Sequence, residues 1–245
     1  MPFIAWGAGR QFLRRHISPR LMGELDYWLR RTPANQFGGP FNGQQGRTAL
    51  VEGLINSIDP VLVLETGTYR GTTTEWFAKQ GRHVISIEGN PRNHAFAKAR
   101  LRELKGITLL LGDSRDVLNS LSSTSSDFRG ERPILAYLDA HWNADLPLED
   151  EIRIIFSTNR RSVILIDDFE VITDAGYTFD DYGPGARIDL NYISRVVSEH
   201  DLAVFFPTLD ARKETGFRRG CAILCKRNEW EKVFMSNQGL CRAPQ

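Results

Sequence analysis

Val61-Leu62-Val63-Leu64-Glu65-Thr66-Gly67-Thr68-Tyr69-Arg70-Gly71-Thr72 is the stretch on which the reading of this chain turns. Four consecutive apolar residues are the pattern of a strand buried on both faces. The chain leaves that strand through an acid and two glycines, then enters a helical pattern at 72–79. In open α/β sheets, ligands sit where strands end and helices begin in this way. The alternation continues downstream, with strands predicted over 84–87, 107–111, 134–138 and 162–166 and helices over 91–104, 115–121, 146–156 and 188–199. This is a Rossmann-like α/β fold, a doubly wound, mostly parallel sheet with helices on both faces. The segments 202–207 and 221–226 read as a C-terminal antiparallel hairpin. A helix over 44–58 leads into the sheet, and the polar, Ser-rich run 120–126 reads as a flexible surface link. We divide the chain into an N-terminal helical extension, 1–43, the α/β domain, 44–228, and a C-terminal tail, 229–245.

The chemistry of the first loop narrows its ligand. Gly67 and Gly71 allow a tight turn and close backbone approach, as a nucleotide-binding loop needs, with Thr68 between them. Glu65 would repel a pyrophosphate but attract an ammonium or sulfonium group, which favours S-adenosylmethionine over a dinucleotide. A full Gly-x-Gly-x-x-Gly is absent, because position 69 is Tyr and position 72 is Thr. Glu88, at the end of the second strand, is placed to accept hydrogen bonds from ribose hydroxyls. Asp113 and Ser114 follow the third strand and could hold the adenine amino group, with a helix cap as the plainer role for Asp113.

A second polar group gathers at the ends of the next two strands. Asp139 ends one, Asp167 and Asp168 end its neighbour, and these strand ends lie about 5 Å apart. Three converging carboxylates without cation partners repel, and a hard divalent ion, Mg²⁺ or Mn²⁺, would relieve that repulsion. His141, two residues beyond Asp139 and with an ordinary pKa of about 6.5, is the candidate base for a hydroxyl substrate.

Composition excludes other classes. The 245 residues are 41% hydrophobic with formal charge +1, enough for a full core and too balanced for a long nucleic-acid footprint. Cys221, Cys225 and Cys241 are too few and odd in number for a disulfide framework. We read Cys221 and Cys225 as buried thiols on one strand face, in a cytoplasmic protein. No apolar run reaches the roughly 20 residues of a membrane span. Arg10, Arg14, Arg15, His16 and Arg20 surround Phe12, Leu13 and Ile17 in a basic amphipathic pattern, read as a solvated helix face or the contact of a homo-oligomer.

Taken together, Glu65 to Gly71, Glu88 and the spacing of Asp139 to Asp167-Asp168 resemble the class I S-adenosylmethionine-dependent methyltransferases. Within them the likeness is to the cation-dependent O-methyltransferases related to macrocin and catechol O-methyltransferases. The resemblance covers 43–226 and implies a metal triad of Asp139, Asp167 and Asp168 and transfer to a hydroxyl of a small molecule or sugar-containing metabolite. In the macrocin-like enzymes an acid two positions after the first metal Asp resembles the base, and this chain has His141 in that place. The lysine base of the catechol type falls on Trp142, so that mechanism is not carried over. Glycine-rich, aromatic 176–185 is read as a lid or substrate wall. Other readings stay open: a metal-dependent glycosyltransferase-like enzyme, through Asp139-Ala140-His141, and a non-catalytic S-adenosylmethionine-binding or scaffolding protein. An iron oxygenase would need a second nearby histidine that the sequence does not supply.

Overall fold

A computed structural model describes residues 18–29, 37–141, 145–227 and 229–244. The basic pattern at 10–17 and Trp142 lie outside the described residues. At the centre is an eight-stranded sheet in the order β3-β2-β1-β4-β5-β7-β6-β8. Its strands are β1 Leu62–Thr66, β2 Val84–Glu88, β3 Ile107–Leu111, β4 Ile134–Leu138, β5 Val163–Asp167, β6 Leu202–Pro207, β7 Cys221–Lys226 and β8 Leu240–Arg242. The first five run parallel, and β7 inserts antiparallel between β5 and β6. The predicted hairpin is therefore real, but its later strand pairs with the parallel sheet.

Nine helices flank the strands among the described residues: α1 Pro19–Leu29, α2 Gln45–Ile58, α3 Thr72–Lys79, α4 Pro91–Leu101, α5 Ser114–Thr124, α6 Ser126–Arg129, α7 Leu148–Thr158, α8 Leu190–Glu199 and α9 Glu229–Met235. Period-two alternation in the strands divides the core between the two faces of the sheet. Leu62, Leu64, Ala136 and Leu138 pack with Leu118, Ile152, Ile155 and Val196 on one face. Val63, Leu135, Tyr137 and Leu165 pack with Val51, Leu54, Ile55 and Phe77 on the other. Each fully buried side chain of this kind contributes about 1.5–3 kcal/mol. Cys221 and Cys225 are buried on this second face, as their spacing predicts.

Two segments differ from the sequence reading. The Ser-rich link is helical, in α5 and α6, with its hydroxyls bonded to the preceding turn: Ser122 donates to the Asn119 carbonyl, and Ser123 and Thr124 donate to that of Ser120. The segment expected as a tail supplies α9 and β8, and β8 pairs with β6 through Phe205↔Arg242, Phe206↔Cys241 and Pro207↔Leu240. Among the described residues no helix is long and apolar enough to cross a membrane.

The chain winds outward from β1 to β3 on one side and from β4 onward on the other. The topological switch therefore lies between β1 and β4, where a crevice opens at the carboxyl edge.

Candidate active site

Three strand ends surround that crevice. The turn after β1 is built by backbone donors: Gly67 N and Thr68 N donate to the Ile87 carbonyl at 3.0 and 3.2 Å, and Tyr69 N to Glu88 Oε2 at 2.6 Å. Gly67 has φ 86, and a Cβ there would lie 2.1 Å from the Asp139 carbonyl oxygen. Only glycine allows this left-handed turn to press against the end of β4. Tyr69 is also left-handed, φ 49, a strained conformation for a bulky residue.

Glu65 is buried beside this turn, its Oε2 accepting hydrogen bonds from Ser86 Oγ at 2.5 Å and from Thr74 Oγ1. Burial pushes its carboxyl up to about 7 against the lowering effect of these hydroxyls. A cation placed here would restore the ionised form. The N-terminus of α3 carries no side-chain cap, leaving backbone donors and the positive dipole end for an anion. A carboxylate and an uncapped helix start, six residues apart in the chain, match the two charges of an amino-acid zwitterion. Glu88 is buried, and its Oε1 accepts from Asn90 N at 2.8 Å. Burial raises its carboxyl above the usual range.

Asp113 takes the plainer of its two roles. It is exposed, caps α5 through Arg115 N at 2.9 Å, and pairs with the Arg115 guanidinium. Ser114 is buried and faces Glu151 of α7, a buried acid that the sequence reading did not select. Burial pushes Glu151 up to about 7 despite the nearby Ser114 and Thr66 hydroxyls, and its Oε1 has no hydrogen-bond partner. An acid on the apolar stripe of Leu148, Ile152 and Ile155 was the signal available in the sequence.

The acidic group divides in two. Asp167 Oδ1 accepts from Arg47 and from Asp168 N at 3.0 Å, and Oδ2 from Tyr137 Oη and from Asn42 Nδ2 at 3.2 Å. A carboxylate has about four lone-pair sites, and these four donors use them. Burial alone would raise Asp167, yet Arg47 and the Tyr137 hydroxyl hold it below the ordinary carboxylate value. Within the expected triad Asp139, Asp167, Asp168, Asp167 is thus ion-paired with Arg47 and Asp168 with Arg219. Arg47 escaped the sequence reading although it lies on the buried stripe Arg47, Val51, Leu54, Ile55, Ile58 of α2.

Asp139, His141 and Asp168 do converge, each offering one ligand atom within 4.8 Å of the others. Burial and the neighbouring carboxylates Asp167 and Asp168 raise Asp139 well above its usual range. Asp168, left-handed at φ 53, is pushed up to about 7 by burial and Asp167, while Arg219 opposes that shift. His141 is 2% exposed, and burial lowers its imidazole pKa below the ordinary value, against the raising effect of Asp180 and Asp167. Neither of its ring nitrogens has a hydrogen-bond partner.

Two loops close over this group. Arg219 bridges Asp168 and Asp180, and Tyr182 Oη lies 2.8 Å from the His141 carbonyl and 2.5 Å from Asp180 Oδ2. The 176–185 segment thus reaches the site, and the residues beside Tyr182 line a cavity of about 490 Å³ with Arg187, Asp189 and Asn191. From the other side Asn42 meets Asp167, Phe217 N donates to the Asn42 carbonyl at 3.1 Å, and Phe41 anchors the turn among Trp76, Phe77 and Tyr137. Glu214 caps α2 through Gly46 N and Arg47 N at 2.9 and 3.0 Å, which holds Arg47 at the site.

No protein-family model matches this chain, and no curated protein matches it. Solved structures do. The O-methyltransferase TomG from Streptomyces achromogenes, involved in tomaymycin synthesis and solved with S-adenosylmethionine, superposes with TM-score 0.56 at 16% identity, over 93% of this chain and 100% of its own. An O-methyltransferase from Bacillus cereus, solved with S-adenosylhomocysteine, gives 0.55 at 16%, over 89% and 97%. A Klebsiella pneumoniae protein described as an O-methyltransferase gives 0.53 at 16%, over 91% and 97%. The chain has the Rossmann-like fold of these methyltransferases, over nearly its whole length.

Proposed function

We propose that this chain is an S-adenosylmethionine-dependent methyltransferase acting on a hydroxyl group of a small polar molecule. The observation that carries the reading is the contact of Gly67 with the Asp139 carbonyl. It joins the turn suited to the methyl donor to the strand end suited to the acceptor, with Glu65 on one side and His141 on the other. The fold of the three O-methyltransferases supports it.

S-adenosylmethionine supplies an activated methyl group on a sulfonium centre. The chain's part is to hold donor and acceptor in line and to take the acceptor's proton. Glu65 and the start of α3 would bind the amino-acid end, and Glu88 the ribose. Asp139 and His141 keep open lone pairs at the end of β4, and the hydroxyl loses its proton to this pair directly or through a bound ion. Asp181, Arg187, Asp189 and Asn191 give the adjoining cavity hydrogen-bonding walls, which suit a hydroxyl-rich acceptor better than an apolar one.

Calorimetry with S-adenosylmethionine, S-adenosylhomocysteine, NAD and a UDP-sugar, each with and without Mg²⁺, tests this. The expected result is binding of the first two alone, lost in Glu65→Ala. Binding of only the UDP-sugar would remove the methyltransferase reading in favour of the glycosyltransferase-like one.

A further inference from the structure

We infer that α1 lies against an anionic lipid surface through an outward stripe of Leu21, Leu25, Trp28 and Leu29, with basic side chains of α1 and α4 around it. This holds whatever reaction the chain performs.

The stripe is on the wrong side of the helix for a core. A surface helix normally turns its apolar face inward. In α1 the buried residues are instead Gly23 and Asp26. Gly23 is the point of close approach to α4, where a Cβ would lie 2.1 Å from the Arg92 carbonyl oxygen and 2.9 Å from Ala95 Cβ. Asp26 Oδ2 accepts from Arg92 Nε at 2.7 Å, and Tyr27 meets Phe96 edge-on with ring centroids 5.5 Å apart. A glycine, an ion pair and a ring edge thus hold the helix in place.

Leu21, Leu25, Trp28 and Leu29 recur at i, i+4, i+7 and i+8, on the side of α1 away from Gly23. Leu21 is 48%, Trp28 50% and Leu29 79% exposed, and Leu29 is the most exposed large hydrophobic among the described residues. Single exposed apolar side chains need no partner, whereas a contiguous stripe rimmed by polar residues marks an interaction face.

Charge names the partner. The Arg102 guanidinium stands 4.5 Å from the Trp28 ring centroid. Lys98 and Arg20 both lie near His94, whose imidazole is lowered first by burial and further by these two cations. Arg20, Lys98 and Arg102 against Glu24 and Glu103 leave one net positive charge on this face. Arg10, Arg14 and Arg15 precede α1 in the chain, and no acid occurs in residues 1–20, so the count rises to four. Phe12, Leu13 and Ile17 are interleaved with those arginines, the composition of a segment that lies in a headgroup layer. Each cation close to an anionic leaflet strengthens binding by about fivefold, and tryptophan is the side chain favoured at headgroup level.

The size of the stripe argues against a second copy as its occupant. Four side chains on one helix fall well short of the roughly 20–30 residues a side that a stable protein interface uses. A helix lying in the plane of a membrane surface has no such threshold, because apolar burial and attraction to anionic lipid add. At 11 residues α1 lies on that surface and does not cross it.

The test is flotation of the full-length protein with vesicles of phosphatidylcholine alone and of phosphatidylcholine with about one third phosphatidylglycerol. Binding to the anionic vesicles should be at least about tenfold tighter than to the neutral ones and should weaken in high salt. Leu21→Glu with Trp28→Glu should lower it by about tenfold or more, while Met235→Glu, at an exposed apolar residue of α9, leaves it unchanged. Circular dichroism checks folding, and Leu29→Ser serves as the milder variant if the pair is unfolded. No binding to anionic vesicles, equal binding to both kinds, or binding indifferent to the α1 variants would overturn the inference. So would a dimer in sedimentation velocity that the α1 variants dissolve while vesicles leave the protein unbound, which would assign the stripe to a second copy.

Discussion

Arg47 and Asp167 form an ion pair with side chains 2% and 1% exposed, joining the first turn of α2 to the last residue of β5. Such a pair is costly to break one-sidedly, because the remaining charge stays buried. Arg47→Met should destabilise the fold by about 3–5 kcal/mol in denaturant unfolding, and adding Asp167→Asn should recover most of that loss. A double variant as unstable as Arg47→Met alone would show that Arg47 acts through its hydrogen bond to the Arg219 carbonyl instead.

On the methyltransferase reading, Glu65 should make cofactor affinity depend on pH. Its carboxyl sits at about 7 in the empty site, and a bound cation requires it ionised. S-adenosylmethionine affinity should rise from pH 6 to pH 8 with proton release on binding, and Glu65→Gln should bind weakly with a flat profile. Calorimetry in buffers of different ionisation enthalpy measures both.

Glu151 should make the fold less stable as pH rises. Its folded value is about 7, against an ordinary 4.5, so the folded state holds the extra proton between those limits. Its stabilising effect is complete below about pH 4.5 and is lost on passing pH 7. Glu151→Gln should therefore gain on wild type by on the order of 1–3 kcal/mol between pH 5 and pH 8. Thermal unfolding at the two pH values checks the sign.

Gly67→Ala should cost both stability and cofactor. The added Cβ meets the Asp139 carbonyl at 2.1 Å in a left-handed backbone, so β1 and β4 must separate at their ends. A loss of about 2 kcal/mol or more in unfolding, with at least tenfold weaker S-adenosylmethionine binding, is expected. Unchanged affinity would mean that the turn does not form the cofactor wall.

Tyr182→Phe should free the 176–185 segment without unfolding the domain. The lost hydroxyl contacts are worth about 1 kcal/mol, while the segment loses its tie to the site. Limited tryptic cleavage near Arg187 should speed up severalfold at an unchanged global midpoint.

The sequence made the ends of the parallel strands legible because each apolar run finishes in a polar residue, and these runs align in one parallel sheet. Glu65, Glu88, Asp139 and Asp168 come to the edge for that reason. The partners were not legible. Arg47 lies 120 residues from Asp167, and nothing local to either residue announces the pair. The argument for three unpartnered carboxylates failed there, since Arg47 and Arg219 supply cations from α2 and from the approach to β7. Asp113 and Glu151 show a related limit: a polar residue after a strand reads both as a ligand contact and as a helix cap, and the hydrogen bond of Asp113 displays the cap. A buried acid within a helix reads as an ordinary surface charge until its neighbours are known.

The contact of Gly67 with Asp139 also bears on how such a chain can diverge. A single side-chain atom added at Gly67 would push the turn after β1 off the end of β4, so on the methyltransferase reading the donor and acceptor halves of the site change together. The loops at 37–43 and 176–185 meet the strand ends through side chains instead, Asn42 at Asp167 and Tyr182 at the His141 carbonyl. On the methyltransferase reading, a change of acceptor falls more readily in the side chains of those loops than at Gly67, where there is no room for a methyl group.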